Sequence, residues 1–95
     1  MYAVVRRYTG VPALITEMQR QGQSVEALLR SVPGFVAYYT LQTGNDLTTI
    51  TVCDDQAGTA ESTRRAAAWV QENVLGVTLT RPEVIAGEVF LQFSR

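Results

Sequence analysis

Val32-Pro33-Gly34-Phe35-Val36-Ala37-Tyr38-Tyr39 opens the stretch, Val32 to Val70, whose reading decides the fold. Pro33-Gly34 stops the helical pattern before it, since proline cannot continue a helix and glycine takes the left-handed turn that ends one. Phe35 to Leu41 then reads as a strand. Gly44-Asn45-Asp46 tolerates positive φ and supplies a hairpin turn. Leu47 to Cys53, dense in β-branched residues, is the returning strand. Asp54 to Gly58 reads as a loop. Thr59 then caps a helix with Glu61 in its first turn, running to about Leu75 and ending at Gly76. The expected inward face is Thr63, Ala66, Ala67, Val70 and Val74, with Trp69 beside that stripe.

Outward from this stretch, the chain repeats the strand and the helix. Tyr2 to Tyr8 is rich in β-formers and reads as the first strand. Thr9 or Gly10 is the expected cap of the next helix, with Pro12 in its first turn. Leu14, Ile15, Met18, Val25, Leu28, Leu29 and Val32 lie on one helical face. Gly22 interrupts the pattern and Ser24 offers a fresh cap, so one kinked helix or two short ones both fit. Val77 to Val84, containing Arg81-Pro82, is a connection, and Ile85 to Phe93 is the fourth strand. The order is βαββαβ. Right-handed crossovers put both helices on one face of an antiparallel sheet in the order 4-1-3-2, an α+β ferredoxin-like domain spanning residues 1–95.

Alternation places Phe35, Ala37, Tyr39 and Leu41 on one face of the second strand, and Val36, Tyr38 and Thr40 on the other. In the fourth strand Ile85, Gly87, Val89, Leu91 and Phe93 oppose Ala86, Glu88, Phe90 and Gln92. Helices cover only one sheet face. The other carries aromatic and β-branched residues, and such a surface marks an interface. The expectation is a homodimer packed sheet against sheet. The alternative is an ordinary mixed face with Thr, Arg and Glu exposed.

Composition narrows the chemistry. The chain has 95 residues, a net charge of −1, 46% apolar and 18% charged residues. All eight basic residues are arginine, and no basic stripe for nucleic acid appears. No apolar run is long enough to span a bilayer, and the N-terminus has no signal-peptide profile, which together suggest a cytosolic protein. Cys53 is alone, so no internal disulfide or thiolate metal cluster is expected. Without histidine there is no Ser-His or Cys-His pair and no imidazole ligand; without lysine there is no Schiff base. Carboxylates, arginines, tyrosines, Asn45, Asn73, hydroxyls, Cys53 and Trp69 remain. An RNA-recognition domain shares the element order but needs aromatics on its third strand, and Leu47 to Cys53 has none. An acylphosphatase would need an arginine-bearing, glycine-rich loop after the first strand, which is missing.

At Pro33-Gly34-Phe35-Val36-Ala37-Tyr38-Tyr39 the sequence resembles the antibiotic biosynthesis monooxygenase superfamily. The likeness starts at Val4-Val5-Arg6-Arg7-Tyr8. It continues through Val52-Cys53-Asp54-Asp55-Gln56-Ala57-Gly58, Glu61 to Val70 and Pro82 to Val89. The nearest branch is one of small bacterial proteins. The resemblance implies a dimeric α+β barrel with a pocket between sheet and helices. It also implies cofactor-independent oxidation of a small phenolic or polycyclic aromatic substrate, with no metal or flavin. A pocket for such a ligand is apolar with a few placed hydrogen-bonding groups. Trp69, Tyr38, Tyr39, Asn73 and Arg6 (or Arg7) are the available candidates. Haem-degrading members use an asparagine on the first strand, a tryptophan and a histidine. Trp69 matches the tryptophan, but the other two are missing, so haem degradation of that kind is not expected. Ser62-Thr63-Arg64 stands where branch members carry Ser-Asn-Arg.

Each candidate has a plainer reading. Trp69 either stacks an aromatic ligand or closes the sheet-helix gap as a core residue. Tyr38 and Tyr39 point to opposite faces, so at most one lines a given pocket; the plain reading is one core tyrosine and one dimer tyrosine. Asp54-Asp55 reads as solvated charges before a helix, Arg64 and Arg65 as surface partners of Glu61, and Cys53 as a small buried strand residue. Two functions therefore stand: a metal- and flavin-free monooxygenase, or a non-catalytic homodimer of the same fold that binds a small apolar or aromatic ligand.

Overall fold

The computed structural model describes residues 1–76, 79 and 81–95. Its elements are β1 (Tyr2–Tyr8), α1 (Pro12–Arg20), α2 (Gly22–Arg30), β2 (Phe35–Thr43), β3 (Asp46–Cys53), α3 (Gln56–Asn73) and β4 (Glu83–Glu88). The sheet is antiparallel in the order β2-β3-β1-β4, as the alternation and crossovers predict. The connection expected from Val77 to Val84 falls partly outside the described residues. Among the described residues no helix is long and apolar enough to cross a membrane.

The first helical region resolves into two helices. They break at Gln21, and α2 begins at Gly22. Neither Thr9 nor Gly10 caps α1. The cap position is Val11, whose backbone N–H donates to Asn45 O at 2.8 Å, while Gly10 N–H donates to Asp46 Oδ1 at 2.9 Å. The hairpin turn thus anchors the entry to α1 through two backbone donors that precede the helix. Ser24 caps nothing either; it accepts a bond from Trp69 Nε1 at 3.2 Å.

Two departures set the interior. A bulge at Val36 shifts the β2–β3 register, with Phe35 opposite Cys53 and Ala37 opposite Val52. One extra residue reverses the alternation at that point. Phe35 and Tyr38, expected on opposite faces, therefore both pack on the helix side against the core of Val11, Leu14, Ile15, Val25, Leu29, Leu47, Trp69 and Val74.

The second departure is the cap of α3, which is Asp55 rather than Thr59. Asp55 Oδ1 accepts from Gly58 N–H at 2.9 Å. Gly58 then lies so close to β3 that an added Cβ would sit 2.8 Å from Cys53 Cβ and 2.9 Å from Pro33 O. With that approach the buried stripe becomes Gly58, Thr59, Ser62 and Trp69, followed by the cap residue Val74; Ala67 faces solvent. Trp69 moves from the edge of the expected stripe into its centre. The expected surface pairs form, Arg64 and Arg65 each bonding Glu61.

β4 ends at Glu88, opposite Tyr2, rather than at Phe93, because its pairing with β1 stops there; a last backbone bond joins Val89 N–H to Met1 O. Beyond it Phe90 is 93% and Phe93 84% exposed. The helix-free sheet face presents Val5, Ile50 and Val52, with Tyr39 60% and Ile85 72% exposed.

Gly58→Ala improves helix propensity but has no room for its methyl group. It is expected to destabilise the fold by about 1–3 kcal/mol, measured by urea unfolding. A neutral result would mean that α3 is free to lift from β3.

Candidate functional site

Arg6 lies in the middle of β1, one of the two central strands, on the side facing the helices. The β1–β3 register sets it opposite Thr49. Its neighbours on that face are Val4 and Tyr8, and the matching face of β3 is Leu47, Thr49, Thr51 and Cys53, all buried. The Arg6 residue is 2% exposed. Its Nη1 donates to Thr49 Oγ1 at 3.4 Å and Thr51 Oγ1 at 3.3 Å; its Nη2 donates to Ser62 Oγ at 3.0 Å and Thr63 Oγ1 at 2.7 Å. The Ser62 and Thr63 hydroxyls in turn donate to Thr59 O, at 2.7 and 3.0 Å. Their protons are committed, so they present lone pairs to the guanidinium. Nε has no partner, and among the described residues no carboxylate forms an ion pair with Arg6.

Arg6 borders a small hollow between sheet and helices, walled by Tyr38, Trp69, Leu14, Leu29 and Tyr8. Its volume is about 30 Å³, enough for one water-sized group. Met18, Val25, Leu29 and Tyr38 also line an outer groove of about 700 Å³ running between α1, α2 and β2. That groove has the size of a small-molecule site.

The two phenols beside Arg6 are neutral at neutral pH. Burial pushes the Tyr38 hydroxyl up to about 12, although the Arg6 charge pulls it down; burial raises Tyr8 in the same way. Burial also lowers the Arg6 pKa. A guanidinium starts so high that it stays charged.

Of the sequence candidates, Arg6, Tyr38 and Trp69 meet at the hollow. Tyr39 points to the helix-free face and borders only the outer groove. Asn73 sits at the end of α3, its Nδ2 donating to Trp69 O at 2.8 Å, beside a shallow depression with Pro12 and Thr16. Arg7 faces away from the helices and is exposed. Sequence reasoning did not single out Tyr8, Thr49, Thr51 or Ser62. The alternation of β3 carries a signal for two of them: hydroxyls at every second position, on the face that Leu47 and Cys53 bury, need a polar partner inside. Thr63, where the branch carries asparagine, makes the shortest bond to Arg6.

Comparison with solved structures identifies the fold. SnoaB, a cofactor-independent oxygenase from Streptomyces nogalater, superimposes with a TM-score of 0.63. It is 18% identical, over 99% of this chain and 97% of that one. The chain has the fold of the antibiotic biosynthesis monooxygenases. A monooxygenase from the gene ActVA-Orf6 of Streptomyces coelicolor, in complex with Nanaomycin D, shares that monooxygenase fold at TM-score 0.65 and 11% identity, covering 99% of this chain and 91% of that one. So does the NE2512 protein of unknown function from Nitrosomonas europaea, at TM-score 0.70 and 17% identity, covering 99% and 93%. No protein-family model and no curated protein matches the chain. These identities establish the architecture and leave the chemistry to the residues of the cleft.

Because Tyr38 titrates near 12 in the fold and near 10 in the unfolded chain, its neutral form contributes stability that is fully present below pH 10. That contribution is lost as pH rises from 10 to about 12. Thermal melts across that range should show Tm falling, and Tyr38→Phe should flatten the fall. An unchanged slope would place the Tyr38 hydroxyl in water.

Proposed function

We propose that this chain is a cytosolic, homodimeric oxygenase that uses neither metal nor flavin and acts on a small phenolic or polycyclic aromatic molecule. The observation that carries this reading is the cleft: aromatic and aliphatic walls from Tyr38, Trp69, Leu14 and Leu29 close over a polar floor of Arg6, Tyr8 and Thr49. The hollow has room for a ligand oxygen beside these donors, and the adjoining groove of about 700 Å³, which shares Met18, Val25, Leu29 and Tyr38 with it, has room for the rings. The oxygenases SnoaB and ActVA-Orf6, which share the architecture, support it. Free, buried Cys53 suits a reducing compartment.

In this chemistry the substrate itself reduces dioxygen. A phenol loses its proton, and the electron-rich ring carbon gives electrons to dioxygen. One oxygen atom ends on the ring and the other leaves as water, so phenol plus dioxygen gives quinone plus water. Arg6 and the Tyr8 and Tyr38 hydroxyls would hold the phenolic oxygen, while Trp69 and Leu29 would exclude water from around that oxygen.

A simple panel decides this reading. Naphthols offered under air should consume oxygen and form quinone. Trp69→Ala should lower kcat/KM by tenfold or more and Tyr38→Phe by severalfold, with the fold checked by circular dichroism. If no quinone-forming phenol is consumed, or both variants turn over unchanged, the oxygenase reading fails. The second reading, a non-catalytic binding dimer, is favoured by one feature: among the described residues the cleft presents no carboxylate or imidazole to act as a base. Any demonstrated turnover removes it.

The dimer rests on the helix-free face, where Tyr39, Leu41 and Ile85 lie exposed together with Phe90 and Phe93 beyond β4. Ile85→Arg should convert a dimer of the wild-type protein to monomer, read by native mass spectrometry. A wild-type monomer at micromolar concentration would remove the sheet-on-sheet interface.

A further inference from the structure

We infer that the cleft takes its ligand as an anion, an aromatic enolate or phenolate whose charged oxygen sits on the Nε–H of Arg6. This rests on the cleft being the ligand site, and it specifies the ionisation state and the contact. A guanidinium has five N–H donors. In Arg6 four are occupied, each by a hydroxyl: Thr49, Thr51, Ser62 and Thr63. The fifth, on Nε, is buried and unpartnered. Buried polar groups without a partner are rare and mark an absent one.

The four hydroxyls orient the cation but do not neutralise it. Each brings a dipole and none brings a charge. The ionisable groups acting on Arg6 are Tyr8, Tyr38 and Cys53, from three different strands, and burial keeps all three in their neutral forms near pH 7. A buried cation held in place with no counter-ion is an electrostatic site for one negative charge.

Geometry narrows the anion. One free N–H takes one oxygen, whereas a carboxylate pairs best with two parallel donors. The hollow beside Arg6 holds one water-sized group, and it shares Met18, Val25, Leu29 and Tyr38 with the larger groove. Rings resting in the groove with a single oxygen in the hollow fill both spaces. Among the described residues the hollow offers no carboxylate or imidazole to remove a proton, and a ligand that arrives ionised needs none.

The test uses Trp69, the chain's one tryptophan, as reporter. Two probes are titrated anaerobically at pH 7: 2-hydroxy-1,4-naphthoquinone, an acidic enol that is ionised there, and its neutral 2-methoxy ether. The ionised probe should bind the wild-type protein at least tenfold more tightly. It alone should shift the Arg6 15Nε resonance. Arg6→Gln should reduce the preference to less than threefold. Equal binding of the two probes, tighter binding of the ether, or an unmoved Arg6 resonance would overturn the inference without any variant having to fold. Neither measurement needs turnover. Anion preference without oxygen consumption by any phenol sinks the oxygenase reading alone, and turnover without anion preference sinks the anion site alone.

Discussion

The guanidinium of Arg6 joins three elements that are far apart in sequence. It leaves β1, one of the two inner strands of the sheet, and ends on two hydroxyls of β3 and two of α3. Removing a charge from water is costly, and only dense, well-aimed hydrogen bonding makes it tolerable. Thr49, Thr51, Ser62 and Thr63 meet that demand, which fixes the rotation of α3 about its own axis. If α3 turned by one residue, Ser62 would leave the guanidinium and Trp69 would leave the core. A polar contact thus sets the geometry of the apolar interior around it.

The same rotation is enforced at the N-terminal end of α3 by steric contact. Asp55 caps the helix and Gly58 lies against Cys53 and Pro33, where no larger residue fits. From there the helix carries Ser62, Thr63 and Trp69 down the sheet to the cleft. At its far wall Trp69 Nε1 donates to Ser24 of α2, so the indole is held by the short helices as well as by the sheet. Arg6, Trp69 and Tyr38 arrive from three elements at one hollow. The outer groove beside it is walled by the α1–α2 pair, which touches the sheet mainly through side chains of Leu14, Ile15, Val25 and Leu29. The buried guanidinium thereby lies beside a hollow that shares Met18, Val25, Leu29 and Tyr38 with the outer groove.

Much of this was readable in the chain. The Gly44-Asn45 turn, the alternation of β3 and the Pro33-Gly34 stop are local signals that appear where expected, although Asp46, expected in the turn, is already the first residue of β3, paired with Thr43. Helix face and cap were less legible at α3. Asp55 and Thr59 are both good caps, and choosing between them needs the distance from β3 to the first turn. The bulge at Val36 carries no residue signature. It arises because Phe35 and Tyr38 both gain by packing inside, which only the assembled core can reward. Tyr39 and Asn73 have suitable chemistry for a ligand site, yet the sheet face of one and the helix end of the other hold them away from the hollow.

The sequence by itself determined the strand and helix order, the antiparallel sheet with helices on one side, and the shortage of titrating side chains that narrows the chemistry. Those follow from periodicity, turn residues and composition, which act over a few neighbouring positions. Only the tertiary structure decided that Arg6 rather than Arg7 is buried, that four hydroxyls and, among the described residues, no carboxylate hold it, and that its Nε–H has no partner there. Alternation along β1 says only that neighbouring arginines face opposite ways. Which face is covered depends on where α3 packs, and that is settled by contacts more than forty residues apart in the chain.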